Sequence, residues 1–146
     1  MSTQPETNMA DELVSLVDTE WSINDTRTII AKSDTIGKGR DLGTYDYVEM
    51  SITNPLGIDY ADLFMASQDI DSVVFIELKA STEDRRDAMF DEFRRIIEEN
   101  RKRPDTPGDH DRMIFQDISP LDDDAFGAYV HEIAVAFESR SRTVQG

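Results

Sequence analysis

Glu77 and Lys79, on either side of Leu78 in the run VVFIELKA, are the residue types in this chain best spaced to act together. In a strand, side chains two apart share a face. An acid and a lysine so placed suit a metal-assisted hydrolysis, in which carboxylates hold Mg²⁺ and the lysine orients or activates water. Asp59 or Asp71 would supply the upstream acid. Other possible sites are poorer. Gly37-Lys38-Gly39 lacks the GxxxxGK[ST] spacing of a phosphate loop and reads as a hairpin loop. Asp109-His110-Asp111 and Asp122-Asp123-Asp124 lack the alternation and glycine of an EF-hand. His131 is alone on an apolar run and reads as packed or solvated. With two histidines, no cysteine and no GxSxG elbow, neither zinc nor nucleophilic catalysis has its parts.

Glu77-x-Lys79 fits the PD-(D/E)xK nuclease pattern in spacing and in the helix that follows, but the Pro-Asp dipeptide is missing. In a chain that is 32% charged, two fixed residues match easily by accident. The plainer reading is a cross-strand ion pair on a half-solvated face.

The arginines form a second group. Seven of the 15 basic residues fall within 85–103: Arg85, Arg86, Arg94, Arg95, Arg101, Lys102 and Arg103. Seven acids lie within 81–103, so that stretch is locally neutral, while the rest of the chain carries the whole net charge of −16. One reading is a helix laced by its own pairs, such as Asp91 with Arg95. The other is an arginine-bearing face that meets an acidic face of a neighbouring copy, since the guanidinium fork bonds carboxylates bidentately.

These residues need elements to hold them. Asn8 is a candidate N-cap for a short helix with Met9, Leu13, Leu16 and Val17 on one stripe. A polar turn carries Trp21, and Arg27 to Lys32 reads as a short strand. Tyr45 to Ile52 alternates, with Val48, Met50 and Ile52 opposite Tyr45, Tyr47 and Glu49. Val73 to Ala80 is the clearest strand. Ser81 or Thr82 then caps a helix over about 82–102, with Ser81 and Asp84 as a capping-box variant and a core stripe of Met89, Phe90, Phe93, Ile96 and Ile97. Met113 to Gln116 is a short strand and Ala128 to Glu138 a long one. The order α-β-β-β-α-β-β predicts an α+β fold, a mainly antiparallel sheet with two helices. Residues 9–140 form one domain between polar tails at 1–8 and 141–146.

Two helices cover one sheet face. The other carries Tyr47, Glu49, Val73, Phe75, Glu77 and Lys79, and is expected to bury against neighbouring copies unless the 53–72 segment folds over it. Candidate interface residues are therefore Arg85, Arg86, Arg94, Arg95, Arg101, Arg103, Phe75 and Tyr47, with Arg94 and Arg95 or the 101–103 triplet in intersubunit ion pairs.

Composition bounds the rest. The chain of 146 residues fits one core. Its 31 acids against 15 bases exclude indiscriminate nucleic-acid binding by the bulk surface, though not a local basic patch. No apolar run reaches the ~18 residues of a membrane helix, and no secretory signal is readable. Asp outnumbers Glu by 20 to 11 and Arg outnumbers Lys by 11 to 4. This composition resembles that of salt-in haloarchaeal proteins, whose self-repulsion is screened in concentrated salt.

The stretches WSINDTR (21–27), VFIELK (74–79) and EFRRII through NRKRP (92–104), in this order of elements, resemble small tail-assembly proteins of archaeal tailed viruses. The plan is similar to the tail terminator of long-tailed phages. That resemblance implies a structural virion protein without catalytic residues or cofactor. It would form a homo-oligomeric, hexameric ring that caps the tail tube protein and joins it to the head-tail connector or head-closure protein. It implies a place in the virion tail or neck after synthesis in the host cytoplasm, with genomic DNA passing through without specific binding and no membrane contact. Another neck component, a head-closure or tail-completion protein, is the alternative, followed by the Mg²⁺-dependent nuclease on Glu77 and Lys79.

Overall fold

The computed structural model describes residues 9–23, 27–36, 41–42, 44–52, 70–102, 106–107, 110–123 and 128–138, with the side chains of 119–123 excepted. Arg103, Asp59, Asn8, the 37–39 loop and both tails lie outside the described residues. Among the described residues, three helices and five strands run in the order α1 (Met9–Glu20), β1 (Thr28–Lys32), α2 (Ser33–Ile36), β2 (Asp46–Ser51), β3 (Ile70–Ala80), α3 (Glu83–Asn100), β4 (Arg112–Asp123) and β5 (Ala128–Glu138). The α+β class holds, with one short helix more than expected.

Helix α3 forms where sequence and physics agree. Thr82, in extended conformation, accepts a hydrogen bond from the Arg85 amide at 3.2 Å, and Glu83 and Asp84 occupy the first turn, where the helix dipole favours acid. The cap is thus Thr82; Ser81 does not take that place. Met89, Phe93, Ile96 and Ile97 recur at helical spacing and are all buried. In α1 the same periodicity buries Met9, Leu13 and Val17. Lys32 Nζ lies 3.0 Å from Asp11 and ties α1 to β1.

The strands are ordered β1-β2-β3-β5-β4, antiparallel except for β1 with β2. That pair is parallel, with Thr28 opposite Asp46, so the expected hairpin across the glycine loop is not formed. Parallel neighbours need a crossover, and residues 33–45, with α2 at their start, provide one. Strand β4 runs the full length of its partner β5, well beyond the expected Met113–Gln116. It is the sheet edge, where Pro120 and acidic residues are tolerated because one side of the backbone needs no partner.

The main core lies between the sheet and the helices α1 and α3. Val48 and Met50 of β2, Val74, Ile76 and Leu78 of β3, and Ile133, Val135 and Phe137 of β5 meet the helix stripes there. Each such side chain, fully buried, contributes roughly 1.5–3 kcal/mol. The second face carries a smaller cluster of Val73, Phe75, Ala134 and Ala136, with Ile70, Ile114 and Ile118 packed against it. Tyr47 and Phe75 are each only 4% exposed in the single chain. These two side chains are thus already covered within the single chain. The alternative cover, the 53–72 segment, falls outside the described residues up to 69.

Candidate functional site

Helix periodicity sends the arginines of α3 to different places. Arg85 turns to the sheet, where its Nε donates to Asp46 at the start of β2; Arg27 Nε approaches the same carboxylate at 3.6 Å. Asp46 is fully buried between these two cations. Arg86 is buried too, 3.0 Å from Asp87 and 3.4 Å from Glu83, with its guanidinium 6.0 Å from the Tyr129 ring centre. Both act within one chain.

Arg95 anchors the end of α1 to α3. It donates to Glu92 at 2.9 Å, to Glu99 at 2.8 Å and to the Glu20 carbonyl at 2.9 Å. The Ser22 amide donates to the other side of this network at Glu92, and Asn100 Nδ2 donates to Glu20 Oε1 at 3.0 Å. The Arg95 hydrogen bond and the Ser22 amide together hold the Glu92 carboxyl down to about 2, against the opposing effect of its burial. The expected Asp91–Arg95 pair is replaced by Glu92 and Glu99. Arg95 is therefore engaged inside the molecule.

Arg94 and Arg101 alone among the described candidates face outward. They line a groove of about 490 Å³ between α3 and the edge strand β4, with Phe90, Ile97 and Glu98 on the helix side and Arg112 to Asp117 on the strand side. The nearest acid to Arg94 is Glu98 at 3.7 Å. Arg112 reaches Glu138 at 3.1 Å, and its Nε is buried without a hydrogen-bond partner. Beside the groove His131 stacks on Phe90, ring centres 4.0 Å apart, and bonds Asp117 at 2.7 Å. It is packed, as its apolar setting in the sequence indicates. Sequence reasoning missed Arg112: its position shows only once β4 is known to start there and to lie beside the end of α3, where Met113 N–H donates to the Arg101 carbonyl at 2.9 Å.

Glu77 and Lys79 lie on the second sheet face, as the alternation requires. Register places Glu49, Glu77 and Glu132 directly across from one another on β2, β3 and β5. Lys79 Nζ is 3.3 Å from Glu49 and 3.5 Å from Glu77. Burial raises the Glu132 carboxyl above its ordinary value, and the Glu77 charge and a hydrogen bond with Glu77 add to the shift. Asp71 lies six residues away along β3, roughly 20 Å at strand rise, and bonds His110 Nδ1 at 3.0 Å. Asp71 is therefore apart from Glu77 and Lys79, and Asp59, the other upstream acid expected, lies outside the described residues. Among the described residues no group of three or more His, Asp or Glu is arranged to hold a metal ion.

Fold and surface together define an α+β protein in which three arginines, Arg94, Arg101 and Arg112, line one groove of an acidic chain. No protein-family model, curated protein or solved structure matches it.

Proposed function

We propose that the chain is a structural subunit that assembles into a homo-oligomeric ring, and that the ring is the tail terminator of a haloarchaeal tailed virus. The observation that carries the assembly is the segregation of charge. Arg94, Arg101 and Arg112 converge on one groove, while the net charge of the chain is −16. Complementary patches on one chain permit head-to-tail contacts that close into a ring when the rotation allows. The viral role rests on the resemblance of residues 21–27, 74–79 and 92–104.

In this reading the mechanism is geometric. A ring matching the symmetry of the tail tube occupies its last growing surface, blocks further addition and offers a new face to the connector or head-closure protein. An acidic lumen would let genomic DNA slide without adhering. The test is the mass of the purified chain in multimolar salt together with an image of the particles. A discrete oligomer with an annular outline supports the proposal, and a strict monomer at every salt concentration overturns it. Incubation with DNA and Mg²⁺, comparing wild type with Glu77→Ala, separates it from the nuclease: cleavage that depends on Glu77 would replace the structural reading.

A further inference from the structure

The exposed side chains along helix α3 change in character from one end to the other. Its first half exposes Glu83, Asp84, Asp87 and Asp91; its second half exposes Arg94 together with Glu98 and Glu99, and Arg101 and Lys102 follow directly after its last turn, which itself holds no base. The helix dipole accounts for acid in the first turn. It does not account for Arg112, which comes from β4 and joins Arg94 and Arg101 across the groove. Asp84 and Asp91 make no ion pair among the described residues, and neither does Arg101. Asp84 and Arg101 are seventeen residues apart on one rod, roughly 25 Å at helical rise, so they cannot satisfy each other within a chain.

We infer that the groove between α3 and β4 is one half of a head-to-tail contact between copies of this chain, the other half being the acidic first half of α3 in the next copy. The inference rests on the ring-forming reading and names the surfaces it would use. Carboxylates entering the groove would meet three guanidinium groups against two resident acids, Glu98 and Asp117, in a recess walled by Phe90, Phe115 and Ile97, where screening is weaker than on open surface. A phosphate backbone is the competing occupant. It is disfavoured because the chain outside residues 81–103 carries 24 acids against 8 bases, which repel a polyanion.

The test uses two charge-reversed pairs at exposed positions. Arg94→Glu with Arg101→Glu turns the groove acidic, and Asp84→Arg with Asp91→Arg turns the helix end basic. Circular dichroism first establishes that each folds. Sedimentation in about 2 M potassium chloride, where the Debye length is only a few ångströms, then reads the mass of each alone and of an equimolar mixture. The expected result is a wild-type oligomer, each variant alone a monomer, and assembly restored in the mixture, where every acidic groove meets a basic helix end. If both variants assemble alone as the wild type does, the groove contact is overturned while the ring stands. If each is monomeric and mixing restores nothing, the pairing of these two surfaces is overturned. A wild-type monomer overturns both the contact and the ring, and a monomer that binds duplex DNA through Arg94 and Arg101 reassigns the groove to phosphate.

Discussion

The two faces of the sheet bury carboxylates to the same depth and treat them in opposite ways. Under α1 and α3, Glu92 is 8% exposed and is met by Arg95 and by the Ser22 amide, so its charged form is held. On the other face Glu132 is 5% exposed and Glu49 only 1%, Glu77 lies directly across from both, and Lys79 Nζ lies within 3.5 Å of Glu49 and Glu77. For Glu132, burial first and the Glu77 charge second oppose the charged form. Burial alone does not decide whether a carboxylate stabilises a fold; the groups placed against it do. The helix-covered face is therefore the anchored half of the molecule and the second face the electrostatically strained half.

The largest effect that tests this contrast is in packing. Phe93 is fully buried in the contiguous core beneath α3, and Phe93→Ala is expected to cost about 3–5 kcal/mol in urea unfolding. Phe75 sits in a small cluster whose other members include Ala134 and Ala136, so fewer large side chains lose contacts when it is truncated. Phe75→Ala is expected to cost less than half as much. Equal losses would show the two faces to be equivalent cores and end the comparison.

Next comes acid. The Glu92 carboxyl falls from an ordinary 4.5 to about 2 on folding, so its stabilisation is complete above pH 4.5 and is lost as pH drops toward 2. The shift corresponds to about 3 kcal/mol. Wild type is expected to lose that much more than Glu92→Gln between neutral pH and pH 2, measured as the change in unfolding free energy. Arg95→Ala at neutral pH leaves Glu92 buried with the Ser22 amide as its remaining described donor, and is expected to cost about 3 kcal/mol. An Arg95→Ala protein as stable as wild type would mean that this network does not hold α1 to α3.

How much of this was readable in advance follows from which interactions are local. Strand β5 and the core stripe of α3 appear where the sequence marks them: β5 as an apolar run buried on both faces, α3 through the period of 3.6 that one buried face imposes. The parallel pairing of β1 and β2 was not readable: two short β-rich runs look the same whether joined by a hairpin or a crossover, and the choice depends on the path of residues 33–45. The length of β4 was hidden by Pro120 and its aspartates, which an edge strand accepts. Glu77 and Lys79 were visible as a pair, but the row they belong to was not. It depends on register across three strands, and nothing near Glu49 or Glu132 in sequence announces it. The arginines were visible as a cluster, while their division among Asp46, Asp87, Glu92 and the groove depends on where α3 sits against its neighbours.

The smallest expected effect has the opposite sign and is the most direct probe of the strained face. Glu132 carries a folded-state pKa above its ordinary 4.5, so the contribution of this group to stability is fully present below 4.5 and is lost as pH rises through the folded value. Glu132→Gln keeps a side chain of similar shape, removes the titration, and takes away a like charge directly opposite Glu77. It is expected to unfold at higher urea than wild type at neutral pH, by about 0.5–1 kcal/mol for a cross-strand like-charge contact. The gain should shrink toward zero on acidification, where wild-type Glu132 is protonated as well. The Glu92→Gln difference changes with pH in the other sense: that variant is less stable than wild type at neutral pH and converges with it in acid. One pH series on the two variants therefore separates the faces. A Glu132→Gln protein destabilised at neutral pH would mean that Lys79 and its surroundings stabilise this carboxylate as an anion, and that the second face is anchored in the same manner as the first.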